Sequence, residues 1–216
     1  MPLKSGLMRL IPVAATAAIV LAPSLTVSAP TAHGASCPDA EVIFARGTDE
    51  PPGLGRVGTA LVASLREQTG KNIGAYGVDY PADEDFLAAT AGANDASDHV
   101  QEMAAACPET RLVLGGYSQG AAVIDIVTAA PVPGLGFRDP LPARAAQHVV
   151  AVTLFGNPSG RAGRLMTVLS PHFAGKILNL CHPGDPICSN GDQWKAHTSY
   201  VPGMTTQAAS FVAVRI

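Results

Sequence analysis

The sequence predicts an α/β fold, a three-layer sandwich with helices on both faces of a mostly parallel sheet of about five strands. Two observations carry this. From Glu41 onward, short apolar runs alternate with segments of helical spacing. One such run, Arg111-Leu112-Val113-Leu114-Gly115, passes through Gly116-Tyr117-Ser118-Gln119-Gly120 directly into Ala121-Ala122-Val123-Ile124-Asp125-Ile126-Val127. A G-x-S-x-G pattern alone is weak in a chain with 22 glycines. At a strand-to-helix junction it marks a tight, strained turn that lifts a serine hydroxyl clear of the sheet. The same turn points the free N–H groups of the helix at any charge that develops beside that serine.

The 216-residue chain divides at its start. Residues 1–35 read as a secretory signal peptide and short leader: Lys4 and Arg9 are basic, Leu10 to Leu21 is apolar, and small residues follow at Val27-Ser28-Ala29 and Ala32-His33-Gly34-Ala35. An apolar core that ends near Pro23 is too short to span a bilayer, so no transmembrane span is expected after cleavage. Residues 36–216, about 180 of them, suit one domain with a sizeable core. Removing Lys4 and Arg9, and no acid, takes the formal charge from −3 to −5. A mildly acidic chain without a basic run has no footprint for nucleic acid. The exported part keeps Cys37, Cys107, Cys181 and Cys188, and an even count outside the cell favours two disulfides. Three connectivities exist; spacing favours Cys181–Cys188 as a local loop and Cys37–Cys107 as the long closure. A zinc site would want close C-x-x-C pairs, which are missing.

The elements follow in order. Glu41 to Ala45 is a buried strand, followed by Arg46-Gly47-Thr48-Asp49-Glu50 and the turn Pro51-Pro52-Gly53-Leu54-Gly55. Val57 to Gln68 is a helix with Val57, Leu61 and Leu65 on one face. Ile73 to Val78 is the second strand. Phe86 and Leu87 fall in a loop. Thr90 to Ala106 is an alanine-rich helix that stops at Cys107-Pro108. After the strand and helix around Ser118, Pro131 to Ala145 is a Pro/Gly-rich surface excursion, and Val149 to Phe155 is a strand. Gly156 to Ser170 is loop with a short helix, Lys176 to Leu180 is the last strand, and Thr205 to Val214 is a closing helix. Ligands of such sheets bind outside the carboxyl ends of the strands. Cys37 and Cys107 precede their strands, so their bridge belongs at the opposite edge and is structural.

A serine hydroxyl needs a base within hydrogen-bond reach, and the base needs an orienting carboxylate. With a serine on this kind of turn, the chain order is Ser, then Asp or Glu, then His. After Ser118 the acids are Asp125, inside the helix; Asp139, in the excursion; Asp185, just past a strand; and Asp192. His197 alone follows Asp185, so the order selects Ser118, Asp185 and His197. His182 is the runner-up base, although it precedes the acid. The small disulfide and two prolines would then pin the acid loop. Two oxyanion donors are expected: the backbone N–H of Gln119, and Thr48 in the loop after the first strand. The chemistry asks for no cofactor and no metal.

Phe44-Ala45-Arg46-Gly47-Thr48, Gly115-Gly116-Tyr117-Ser118-Gln119-Gly120, Asp185-Pro186-Ile187-Cys188 and His197, in this order, resemble the cutinases, most closely the secreted cutinase-like proteins of mycobacteria and related actinobacteria. The likeness covers Cys37 to Val214. It implies a small serine esterase of α/β-hydrolase type with two disulfides, the triad Ser118, Asp185 and His197, and an open site without a large lid. Thr48 stands where fungal cutinases carry an oxyanion serine, a departure. The likeness further implies apolar loops around Pro81 to Leu87 and Trp194 bordering the cleft. Short- to medium-chain acyl esters, lipids or a polyester such as cutin are the implied substrates, acted on by a monomer. Phospholipase, lipase or thioesterase action would use the same triad. A non-catalytic lipid-binding protein is the rival of another class, and an intact triad argues against it; with 5% aromatic residues a glycan binder is disfavoured.

Overall fold

The computed structural model describes residues 37–85, 89–130, 133–161 and 171–216. The expected leader, Phe86, Leu87 and most of the expected loop and short helix over 156–170 lie outside these residues. Among the described residues, strands β1 (Ala40–Ala45), β2 (Ile73–Gly77), β3 (Arg111–Tyr117), β4 (Val149–Phe155) and β5 (Ile177–Leu180) form one sheet. Its order is β2-β1-β3-β4-β5, and every neighbour pair is parallel. Because helices cover both faces, the central strands read as continuous apolar runs rather than alternating ones; all six residues of β1 are buried.

Helices α1 (Gly55–Thr69) and α6 (Gly203–Ala213) cover one face, where Val57, Leu61 and Leu65 meet Phe44, Val113, Phe155 and Val212. Helices α2 (Ala89–Ala106) and α3 (Gln119–Ala129) cover the other, packing Val100, Val123 and Ile124 on Ile43, Leu112, Leu114 and Leu154. The three-layer α/β-hydrolase-type sandwich is as expected, and no lid domain stands over the sheet among the described residues. Two short helices depart from the sequence reading. Helix α4 (Ala143–Ala146) lies in the expected excursion, and the one-turn α5 (Trp194–His197) carries a candidate side chain. Four residues are too few to show a 3.6-residue period. The closing helix also begins two residues early, at Gly203.

The sheet order decides where a ligand can go. The chain runs from β1 to β2 in one direction and then crosses to β3 on the other side of β1. The loops leaving β1 and β3 therefore diverge and open a crevice at their carboxyl ends. Disulfide Cys37–Cys107 joins the segments that lead into these two neighbouring strands, at the far edge of the sheet. Disulfide Cys181–Cys188 closes the loop that leaves β5.

Candidate active site

Ser118 stands between β3 and α3 with φ 56° and ψ −119°, a conformation that an L-residue adopts only under constraint. The constraint is visible on both sides. The Ser118 N–H donates to the Phe155 carbonyl at 2.9 Å, and its own carbonyl accepts from the N–H groups of Ala121 and Ala122. Gly120 makes the turn possible: a Cβ there would run into the carbonyl oxygens of Ala45 and Arg46 on β1 and its following residue. At the start of α3 the N–H groups of Gln119 and Gly120 come before the first of these bonds, at the positive end of the helix dipole.

His197 Nε2 lies 3.0 Å from Ser118 Oγ, and its Nδ1 lies 2.8 Å from Asp185 Oδ2. With Nδ1–H directed at the carboxylate, Nε2 is left to accept the serine proton. Asp185 is fully buried. Its Oδ1 accepts from the Ile187 N–H at 2.7 Å, and Oδ2 accepts from the Tyr200 hydroxyl at 2.5 Å as well as from His197. Burial drives this carboxyl upward, but the bonds from Tyr200, His197 and Ile187 outweigh it and hold the group below the ordinary carboxylate value. The imidazole is fixed from other directions too. The Tyr117 ring stacks on it at 5.1 Å, and the Tyr117 hydroxyl donates to the His197 carbonyl at 2.7 Å. Burial pushes the Tyr117 phenol up to about 12, so it stays a donor at neutral pH. Gly156, at φ 59°, passes close by; a Cβ there would lie 3.0 Å from His197 Cε1 and 3.1 Å from Asp185 Oδ2.

The loop after β1 brings Thr48 to the same crevice. Thr48 Oγ1 donates to Gln119 Oε1 at 3.3 Å, and Gln119 Nε2 donates to the Asp83 carbonyl at 2.8 Å. Sequence reasoning gave no role to what holds this loop. Arg46 is 3% exposed, and a cation so buried has to be saturated with acceptors. Its guanidinium donates to the carbonyls of Glu50, Val78, Tyr80 and Pro81 and lies 5.0 Å from the Tyr80 ring centroid. Glu50 adds a carboxylate that accepts from the N–H groups of Gly47 and Arg56, tying the loop to the start of α1. The signal was there: an arginine directly following an uninterrupted apolar strand.

The remaining buried acid and the other histidines lie apart from this group. Asp125 is buried within α3, His148 stands at the start of β4 on the far edge, and His99 pairs with Glu41 at the base of the sheet. His182 contributes its backbone N–H to the Tyr200 hydroxyl, at 3.2 Å, rather than a ring nitrogen to Ser118. Trp194 is 65% exposed with its ring edge-on to His197 at 5.8 Å, which puts apolar surface at the rim on that side. Among the described residues no His, Cys, Asp and Glu cluster is arranged to hold a metal.

The cutinase family model matches residues 36–216. The chain belongs to the cutinase family. A Mycobacterium tuberculosis relative named phospholipase Culp4 is 69% identical over 202 residues, which is 94% of this chain and 88% of the relative. From the same organism, a probable carboxylesterase, Culp3, is 53% identical over 204 residues, or 93% of this chain and 78% of that protein. Among solved structures, a Trichoderma reesei cutinase in complex with a phosphonate inhibitor superimposes with a TM-score of 0.67 at 32% identity, covering 82% of this chain and 76% of that one. The cutinase-like reading of the motifs around Ser118 and Asp185 therefore stands at the level of the family.

Proposed function

We propose that Ser118, His197 and Asp185 are the machinery with which this carboxylic ester hydrolase of the cutinase family forms and breaks an acyl-enzyme. The hydrogen-bonded line from Ser118 Oγ through His197 to a buried carboxylate, beside the N-terminus of α3, carries the reading. His197 Nε2 takes the Ser118 proton as Oγ attacks the ester carbonyl carbon. The Gln119 N–H and Thr48 receive the oxyanion. The tetrahedral species collapses, His197 protonates the departing alkoxide, and a water molecule deprotonated by His197 releases the acid and restores Ser118. Asp185 holds the Nδ1–H tautomer and balances the imidazolium.

Short- to medium-chain acyl esters are the proposed substrates, since exposed Trp194 offers an apolar rim at an open site. The name of the 69% identical relative favours a second reading, phospholipid acyl esters. Family membership and two disulfides support an extracellular location, with residues 1–35 removed on export. Nitrophenyl esters from acetate to palmitate, assayed with wild type and Ser118→Ala, test this. A maximum at short to medium chains that is lost in Ser118→Ala is expected; a phosphonate should label wild type and leave the variant unmodified. A maximum at long chains, together with fatty-acid release from phospholipid vesicles, would favour the second reading. Equal background rates in both proteins across the series would overturn general ester hydrolysis.

A further inference from the structure

We infer that Tyr200 is a positioning residue that sets the basicity of His197 through Asp185. The inference rests on the triad reading and deepens it. Tyr200 is fully buried, three residues after His197, and its ring packs edge-on to Phe155 at 6.0 Å and to Tyr117 at 5.7 Å. Those contacts aim the phenol into the disulfide-closed acid loop. There the hydroxyl meets the loop at three places: it accepts from the His182 N–H at 3.2 Å, donates to Asp185 Oδ2 at 2.5 Å, and lies 3.5 Å from Cys188 Sγ.

The chemistry turns on one oxygen. Asp185 Oδ2 takes the Nδ1–H of His197 and the O–H of Tyr200 together, while Oδ1 is committed to the Ile187 N–H. A short bond from a phenol draws electron density from that oxygen, because hydrogen bonds to a charged acceptor are the strong ones. The carboxylate then has less to offer an imidazolium. It still fixes the tautomer of His197, but a proton on the ring is stabilised less than it would be by a carboxylate facing His197 alone. The His182 N–H, by donating to the phenol oxygen, strengthens the phenol as a donor in turn. The aspartate thus has two partners competing for it, one reactive and one fixed.

Other charged or titratable groups surround the pair. Tyr117 on β3 donates to the His197 carbonyl; Arg56 on α1 donates to the Thr198 carbonyl; and Arg161, beyond β4, donates to the Pro186 carbonyl. Glu50 is anchored on the N–H groups of Gly47 and Arg56. These act on backbone positions of the two loops; Tyr200 and His197 are the side chains that bond the carboxylate itself.

The test is the acid limb of the kcat/KM profile, which follows the fraction of neutral His197. In Tyr200→Phe the carboxylate faces His197 alone, so the limb moves to higher pH by roughly half a unit or more, and kcat falls with KM little changed. Replacing Tyr200 by 3-fluorotyrosine keeps the ring and hydroxyl but makes a stronger donor, so the limb moves to lower pH. Opposite displacements support the inference. A limb that stays in place in both proteins overturns it, leaving Tyr200 a packing residue. If Tyr200→Phe does not fold, the fluorinated protein decides alone by the same criterion. Ser118→Ala, run in parallel, separates the two levels: activity retained there overturns the triad reading itself, whereas activity lost there with unmoved limbs overturns only the role of Tyr200.

Discussion

Thr48 holds its hydroxyl hydrogen on Gln119 Oε1 at 3.3 Å, a long bond between the two residues proposed to receive the oxyanion. Such a bond is easily exchanged, and a developing oxyanion is a far better acceptor than an amide oxygen. The threonine hydroxyl can therefore turn from Gln119 to the substrate as negative charge appears, and it then acts in the transition state more than in the ground state. Thr48→Val preserves the branched shape and removes only the donor. Its kcat should fall roughly 100-fold, with KM nearly unchanged, in line with the loss of one oxyanion donor. Thr48→Ser keeps the donor and should retain most of the activity. Steady-state kinetics on a nitrophenyl ester read both. A Thr48→Val protein with wild-type kcat would leave the oxyanion to backbone N–H groups alone.

At the scale of elements, the crevice depends on how β1 ends. Arg46 ties its own loop to the loop that leaves β2, through the Val78, Tyr80 and Pro81 carbonyls. The Tyr80 hydroxyl donates back to the Arg46 carbonyl at 2.5 Å, and the Asp49 N–H donates to the Ala82 carbonyl at 2.7 Å. Arg46→Ala strips several buried carbonyls of a donor and should cost about 2–4 kcal/mol of stability in urea unfolding. Arg46→Lys should recover little of it, since a single ammonium cannot serve carbonyls spread around a planar fork. The grouping of Ser118, Asp185 and His197, which the fold brings within hydrogen-bond reach, was expected from the sequence because strand, turn, helix and chain order leave local traces. Tyr200 left no trace of that kind, and the apolar strand before Arg46 marked the residue but not its partners: Asp185 lies 15 residues from Tyr200 and Tyr80 lies 34 from Arg46, and only the tertiary fold brings them together. The five strands were legible from their apolar runs, whereas α5 was not, because its one turn is defined by packing against Tyr117 and Tyr200 rather than by its own sequence.

Across the whole molecule, the two disulfides are expected to divide the work between stability and catalysis. Cys37–Cys107 spans 70 residues, joins the base of β1 to that of β3, and lies at the edge of the sheet opposite Ser118. In the chain-entropy model a closure of this length stabilises by roughly 4 kcal/mol. Cys181–Cys188 spans only 7 residues, and the same model gives it roughly 2 kcal/mol. Yet the short bridge encloses Asp185, and Cys188 Sγ touches the hydroxyl that bonds its carboxylate. Removing the long bridge by Cys37→Ser with Cys107→Ser should lower Tm by about 8–16 °C and leave kcat of the folded enzyme as it was. Removing the short one by Cys181→Ser with Cys188→Ser should lower Tm less and kcat more, by roughly 10- to 100-fold, because a displacement of the acid by about an ångström already misaligns the base. Thermal unfolding and steady-state kinetics on the same four proteins (wild type, each pair, and both pairs together) decide the matter. If the long-bridge variant loses kcat while the short-bridge variant keeps it, the sheet edge and the active site are coupled through the strands, and the acid loop holds Asp185 without covalent help.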